Sequence, residues 1–192
     1  MQMNYVEEFG FKKNFIDNES CDLIINKLKE LMNSGLMKYN NALGRKVIYN
    51  PLWEDLNPIL FEYSNLIKEE IKNKYNLKNE IYPALVYLST FEKGEGQGCH
   101  VDDEYPWLDF SSLLYLNDFE GGMLRFRHFD FNYKPEKNEL VFWPSSGEKS
   151  GHEVTPVLND GQRHTILICY TEDYSKRLRS LDSAYLKGSL NE

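Results

Sequence analysis

The 192-residue chain is short of cysteine, of positive charge and of long apolar runs, and each deficit excludes a class of protein. Its three cysteines, Cys21, Cys99 and Cys169, are odd in number and widely spaced. They fit neither a disulfide framework nor a cysteine zinc cluster, and they predict a reducing, cytoplasmic setting. Lys and Arg number 22 against 30 Asp and Glu, a net charge of −8. Duplexes and anionic membrane surfaces are repelled on average by such a chain, so nucleic acid is not an expected partner. No stretch approaches the roughly 20 consecutive apolar residues that span a bilayer. The start, Met1-Gln-Met-Asn-Tyr-Val-Glu-Glu, has no basic run followed by an apolar core, so neither a membrane segment nor a cleaved leader is expected. Internal repeats and low-complexity tracts are absent too. With 41% hydrophobic and 27% charged residues, the composition is that of one ordinary globular domain, not of a fibrous or disordered chain.

What is present is a change of period along the chain. From Asp17 or Asn18, a plausible N-cap, Cys21, Ile24, Ile25, Leu28 and Leu31 recur every three or four residues until Gly35, which predicts an amphipathic helix. A second helix is predicted over about Leu56 to Tyr75, with Leu56, Ile59, Leu60, Tyr63, Ile67 and Ile71 on one face and Pro51 and Pro58 near its start. Beyond residue 80 the pattern becomes strand-like: Ala84 to Phe91, Ser111 to Leu116, Met123 to Arg127, Glu139 to Trp143, Glu153 to Val157 and Arg163 to Tyr170, punctuated by Gly, Pro, Asn and Asp. Helices followed by many short strands point to an antiparallel sandwich or barrel with helices packed on one side, an α+β and mainly β architecture.

The chemistry-bearing residues are few. Four histidines occur, at 100, 128, 152 and 164. In His100-Val101-Asp102, residues two apart in an extended chain project to one side, so an imidazole and a carboxylate converge; a distant second His completes a two-His-one-carboxylate face for Fe(II). The pattern alone is weak, because with 30 acids in 192 residues about one His in six has an acid two positions on by composition. His128-Phe129-Asp130 is a rival, and a surface couple is the bland reading of either. Context favours the first pair: three predicted strands lie between Asp102 and His152, enough to return the chain beside it. Beyond His152, Arg163, Thr165, Leu167 and Cys169 share one strand face, and an inward guanidinium calls for an anionic ligand, an acid bound beside the metal.

Six ordered motifs, His100-Val-Asp102, Ser112-Leu-Leu-Tyr115-Leu-Asn117, Glu120-Gly-Gly122-Met-Leu-Arg-Phe126, Glu139-Leu-Val-Phe-Trp143, His152-Glu-Val-Thr-Pro156 and Arg163, resemble the Fe(II)- and 2-oxoglutarate-dependent dioxygenases. The likeness is greatest to the prolyl 4-hydroxylases, in particular the type acting on hypoxia-inducible factor and its bacterial relatives. It covers about residues 84 to 173, and Phe15-Ile-Asp-Asn-Glu-Ser-Cys21 looks like the first helix start of that family. The resemblance implies a double-stranded β-helix, or jelly roll, with flanking N-terminal helices: a helical support over 1–80, a catalytic core over 81–174 and an extension over 175–192 in a single domain. His100, Asp102 and His152 would then be the metal ligands. Arg163 with the Tyr115 hydroxyl would clasp the distal carboxylate of 2-oxoglutarate, with Thr165, Leu113, Leu124 and Val154 lining its pocket. Fe(II), 2-oxoglutarate and O2 are implied, with ascorbate as an optional reductant. The reaction would be hydroxylation of a C–H bond with release of succinate and CO2, since related halogenases lack the carboxylate found at Asp102.

The implied substrate is a peptide or protein, with a peptidyl proline first. An acidic surface suits a neutral or basic segment. A free amino acid or another protein side chain is the alternative, and a non-catalytic jelly-roll binding module a third. An alkylated-base demethylase is disfavoured by charge and by the lack of a second arginine after Arg163. The chain departs from the oxygen-sensing enzymes at three points: Phe91 or Thr90 where they carry a tyrosine, Cys169 where they carry a tryptophan, and Asp109 where relatives often carry an arginine. The glycine-rich segment Glu92 to Cys99 reads either as a lid or as a bulged turn, and Trp107 either as a substrate-capping residue or as a buried anchor.

Overall fold

The computed structural model describes residues 8–41, 43–49, 56–102 and 105–178; Pro51 and most of the expected extension lie outside the described residues. The elements are β1 (Gly10–Lys12), α1 (Asn18–Asn33), β2 (Lys38–Asn40), β3 (Arg45–Tyr49), α2 (Asn57–Tyr75), β4 (Tyr82–Phe91), β5 (Gln97–His100), β6 (Phe110–Tyr115), β7 (Leu124–Phe126), β8 (Phe131–Tyr133), β9 (Leu140–Pro144), β10 (His152–Val154) and β11 (Arg163–Thr171). Both helices and all six strand runs expected from the periodicity are present. Five short strands, β1, β2, β3, β5 and β8, are additional, because three to five residues are too few to show an alternation.

Local chemistry sets the helix ends. The Asp17 carboxylate accepts from the Ser20 backbone N–H at 2.7 Å, satisfying one of the free donors of the first turn of α1. The α2 helix starts at Leu56 without a side-chain cap, has Pro in its first turn and ends on Asn76 in the left-handed region at φ 51°. None of the helices is long and apolar enough to cross a membrane, among the described residues.

The strands form two antiparallel sheets, of seven strands in the order β1-β9-β6-β11-β4-β3-β2 and of four in the order β5-β10-β7-β8. This is a double-stranded β-helix. The helices cover the outer face of the large sheet. Ile24, Leu28, Leu60, Ile67 and Ile71 pack there with Val86, Leu88, Leu114, Ile166 and Ile168. A second cluster, with Phe91, Leu113, Tyr115, Leu124, Phe126, Trp143, Val154 and Leu167, fills the space between the sheets. Strand β11 is buried along its whole length. Its period of two sends Ile166, Ile168 and Tyr170 to the helices, and Leu167 and Cys169 to the other side with Arg163 and Thr165.

His164 lies in β11 beside Arg163, in a shallow depression with Asp22 and Lys29 of α1. Its Nδ1 is 2.9 Å from Thr90 Oγ1, and its ring is 3% exposed. Burial, and less so the Lys29 charge, lowers its pKa to about 4 from 6.5. Because the folded value lies below the unfolded one, the unfolded chain takes the proton first. Stability is therefore full above pH 6.5 and is lost as pH falls towards 4, by about 2 kcal/mol at pH 5 and about 3 kcal/mol below pH 4. Urea unfolding at pH 7.5 and pH 5 is expected to show His164→Gln losing about 2 kcal/mol less than wild type across that interval. Equal losses in both proteins would remove His164 from the acid response.

Candidate active site

Strands β5 and β10 pair antiparallel with His100 directly opposite His152, so the ladder itself sets the two imidazoles side by side, ring centroids 4.3 Å apart. Asp102 lies in a bend just past the end of β5, so it is this bend and not strand alternation that turns its carboxylate inward. Its Oδ1 stands 3.6 Å from His100 Nε2 and 4.0 Å from His152 Nε2. One ligand atom from each residue falls within 4.8 Å of the others, and this is the one such convergence of His, Cys, Asp and Glu among the described residues.

The surroundings direct the donors. His100 Nδ1 is 2.9 Å from the Gly98 carbonyl and His152 Nδ1 is 2.9 Å from the Ser150 carbonyl. A carbonyl only accepts, so each Nδ1 carries the hydrogen and each Nε2 presents a lone pair, that of His100 meeting the Gln97 NH2 at 3.1 Å. Ser111 Oγ donates to Asp102 Oδ2 at 2.6 Å and also meets Ser145 Oγ at 2.8 Å, which leaves Oδ1 facing the histidines. Burial holds the His152 pKa below its usual value, against the pull of Asp102, so the ring stays neutral. Trp143 meets it edge-on at 4.9 Å. Two neutral imidazoles and one carboxylate on one face, with the remainder open, are the donor set of a non-haem Fe(II) site. The residues fit the ion.

The rival pair is dispersed on the surface: His128 sits in a 3-10 turn and Asp130 follows in the left-handed region at φ 48°, both exposed. Cys99 is exposed and outside the convergent cluster, and burial raises the Cys169 pKa well above the ordinary thiol value, so Cys169 presents no thiolate to the triad.

Arg163, Thr165, Leu113 and Val154 line one narrow inner pocket together with the triad. Leu124 is fully buried in the inter-sheet cluster and is not among the residues that line that pocket. The Arg163 side chain is 1% exposed. Its Nη2 donates to the Tyr115 hydroxyl at 3.3 Å, and its Cζ lies 4.8 Å from the Phe91 ring centroid and 5.0 Å from that of Tyr115. Its Nε has no hydrogen-bond partner. Burial raises the Tyr115 pKa, so the phenol remains a donor. A cation enclosed by aromatic rings with an unused N–H is costly unless an anion arrives. A dicarboxylate reaching from Arg163 to the triad would supply it. Gly122 serves this wall: it has φ 53°, and a Cβ there would stand 3.0 Å from Arg163 Cδ.

Outside the inner pocket opens a cleft of about 370 Å³, bordered by Leu43, Tyr87, Gln97, Asp102, Tyr105 and Leu108. Asp102 is the one acid on its described wall. The segment from Glu92 to Cys99 is tied down, with Gly94 N–H on the Val157 carbonyl at 2.8 Å and Val157 N–H on the Glu95 carbonyl at 3.0 Å, and its last residues join β5. Trp107 leans on the inter-sheet cluster, while Tyr105 is exposed at the cleft. Three polar residues of the site carried no signal in the sequence: Ser111 under Asp102, and Gln97 and Arg45, which come together only through the pairing of β3 with β4 and the return of β5.

Residues 84–171 match the sequence model of the 2OG-Fe(II) oxygenase superfamily. No curated protein sequence matches the chain. Among solved structures, a viral collagen prolyl hydroxylase from Paramecium bursaria Chlorella virus-1 in complex with 2OG is similar with TM-score 0.70 and 15% identity, over 85% of this chain and 95% of that one. A Pseudomonas putida prolyl-4-hydroxylase gives TM-score 0.70 and 16% identity over 85% and 92%. A Trichoplax adhaerens prolyl hydroxylase bound to a hypoxia-inducible-factor peptide fragment gives TM-score 0.67 and 17% identity over 91% and 88%. At such identities the likeness establishes the fold. The matched segment, a little under half of the chain, holds His100, Asp102, His152 and Arg163, so the chain is similar to the 2OG-Fe(II) oxygenase superfamily in this segment's sequence and to prolyl hydroxylases in fold.

Proposed function

We propose that the protein hydroxylates a C–H bond, first of all that of a peptidyl proline, using Fe(II), 2-oxoglutarate and O2 and releasing succinate and CO2. The observation that carries this reading is the buried Arg163, with its unused Nε, in one pocket with a convergent His100–Asp102–His152 triad. His100, Asp102 and His152 hold the metal. Arg163 and Tyr115 clasp the distal carboxylate of 2-oxoglutarate, with Thr165 beside them. Leu113 and Val154 keep the wall apolar and water out, which protects a strong oxidant from side reactions. The bound ion and cosubstrate supply the oxygen activation, with ascorbate as an optional reductant. The setting is cytoplasmic, and residues 81–174 form the catalytic core.

A peptide substrate is supported by the cleft of about 370 Å³ beside the triad, whose described lining carries one acid, and by the peptide-bound relative. The departures at Phe91, Cys169 and Asp109 favour a second reading, the same chemistry on a free amino acid or another protein side chain. Anaerobic titration of the protein with Fe(II) and then 2-oxoglutarate tests the reaction class. A weak visible charge-transfer band that is lost in His152→Ala is expected. Succinate release stimulated by proline-containing peptides then identifies the substrate. Folded protein that never shows the band is a jelly-roll binding module instead.

A further inference from the structure

The inner pocket has two polar ends. One is Arg163 with Tyr115; the other lies beside the triad and contains Gln97 and Arg45. The direction of the Gln97 amide is fixed by its neighbours. Arg45 Nη1 hydrogen-bonds Gln97 Oε1, and a guanidinium only donates, so the oxygen must face Arg45 and the NH2 must face the other way. Arg45 is itself held, its Nη2 donating to the Tyr87 hydroxyl at 3.3 Å and its Cζ 4.9 Å from the Phe91 centroid. The Gln97 NH2 therefore points at the metal position, 3.1 Å from His100 Nε2. It borders the inner pocket and the outer cleft alike.

A molecule that spans from Arg163 to a triad-bound metal brings its second carboxylate to this end. The inner pocket is narrow and Gln97 is among the residues that line its triad end, so that carboxylate arrives beside the amide. Phe91 offers a ring, Ser89 Oγ is engaged with Thr165 Oγ1 at 2.7 Å, and the Nδ1 hydrogens of both histidines are committed to carbonyls.

We propose that Gln97 is the residue that receives the metal-side carboxylate of 2-oxoglutarate, with Arg45 as the positioning residue that aims its amide. The assignment rests on the dioxygenase reading above. It divides the grip between two ends of the cosubstrate: a charged clasp at Arg163 and a neutral, directed amide beside the metal. A hydrogen bond to a charged acceptor of this kind corresponds to about 10- to 100-fold in affinity.

The two ends are separable with two ligands. Calorimetric binding of 2-oxoglutarate and of 2-oxopentanoate, which keeps the keto-acid end and lacks the distal carboxylate, is measured on protein loaded with redox-inert Mn(II). Gln97→Leu is expected to weaken both ligands by a similar factor, while Arg163→Met weakens 2-oxoglutarate and leaves 2-oxopentanoate unchanged. Gln97→Glu keeps an oxygen for Arg45 but opposes the carboxylate, and should bind 2-oxoglutarate more weakly than Gln97→Leu. Mn(II) affinity in Gln97→Leu should stay within about twofold of wild type, well short of the loss expected of a residue orienting a metal ligand. Wild-type-like 2-oxoglutarate binding in Gln97→Leu, a loss confined to 2-oxoglutarate, or a matching loss of Mn(II) affinity each overturns the assignment while leaving the dioxygenase reading intact. Mn(II)-loaded wild type that binds neither ligand overturns both.

Discussion

Asp102→Ala is expected to abolish succinate formation and the Fe(II)–2-oxoglutarate charge-transfer band while the protein stays folded. The carboxylate is the one anionic donor in the triad, and its removal leaves two neutral imidazoles that hold Fe(II) with neither charge compensation nor a third bond. Replacing even residues that merely orient metal ligands typically costs 10- to 100-fold in affinity or activity, so loss of a ligand itself should take both to background. Folding should survive because Asp102 lies in a bend outside the ladder, and Ser111 Oγ keeps Ser145 Oγ at 2.8 Å after its carboxylate partner is gone. His128→Ala with Asp130→Ala is the control: both side chains are exposed and the pair should leave the band unaltered. A band that persists in Asp102→Ala and vanishes in the control would exchange the two H-x-D motifs.

Arg163→Met should weaken 2-oxoglutarate binding by about 2 to 5 kcal/mol, roughly 30-fold to several thousand-fold in Kd, the usual loss when one partner of a buried, hydrogen-bonded charge pair is truncated. The stability effect should have the opposite sign or be nil. The guanidinium is packed among Phe91, Tyr115 and Phe119, and a methionine fills much of that volume without a buried charge to desolvate. A higher or unchanged melting midpoint together with lost affinity marks a group retained for its ligand. A variant that melts earlier and binds 2-oxoglutarate as wild type does would instead make Arg163 a structural residue.

Much of this arrangement is written in the chain where a period is long enough to read. The α1 stripe, its Asp17 cap and the nine-residue β11 are visible because burial repeats at 3.6 or 2 residues over several turns or pleats. From β11 alone it follows that Arg163 and Thr165 share a face with Leu167, and the pocket bears that out. Strand alternation points to Asp102 from the sequence, although it is a bend that places it. The hairpin of β2 and β3 left no trace in the pattern, and so neither did Arg45. Its place beside Gln97 depends on β3 lying against β4, a contact between segments about forty positions apart. Leu124 shows the converse limit: alternation says which side of a strand is inward, not whether an inward side chain meets a cavity or another side chain.

The double duty of β11 has a consequence for any attempt to isolate the catalytic unit. The segment 84–171 contains the triad and Arg163, yet trimming the chain to it would strip the helices from Val86, Leu88, Ile166 and Ile168. It would also remove β1 from the edge at β9 and β3 from the edge at β4, leaving two unpaired strand margins beside a bare apolar plane. Such a fragment has the makings of an aggregate. The sequence that matches the superfamily model is thus shorter than the sequence that can exist in water, and the residues preceding it act as a built-in solubilising jacket for the strand that carries Arg163.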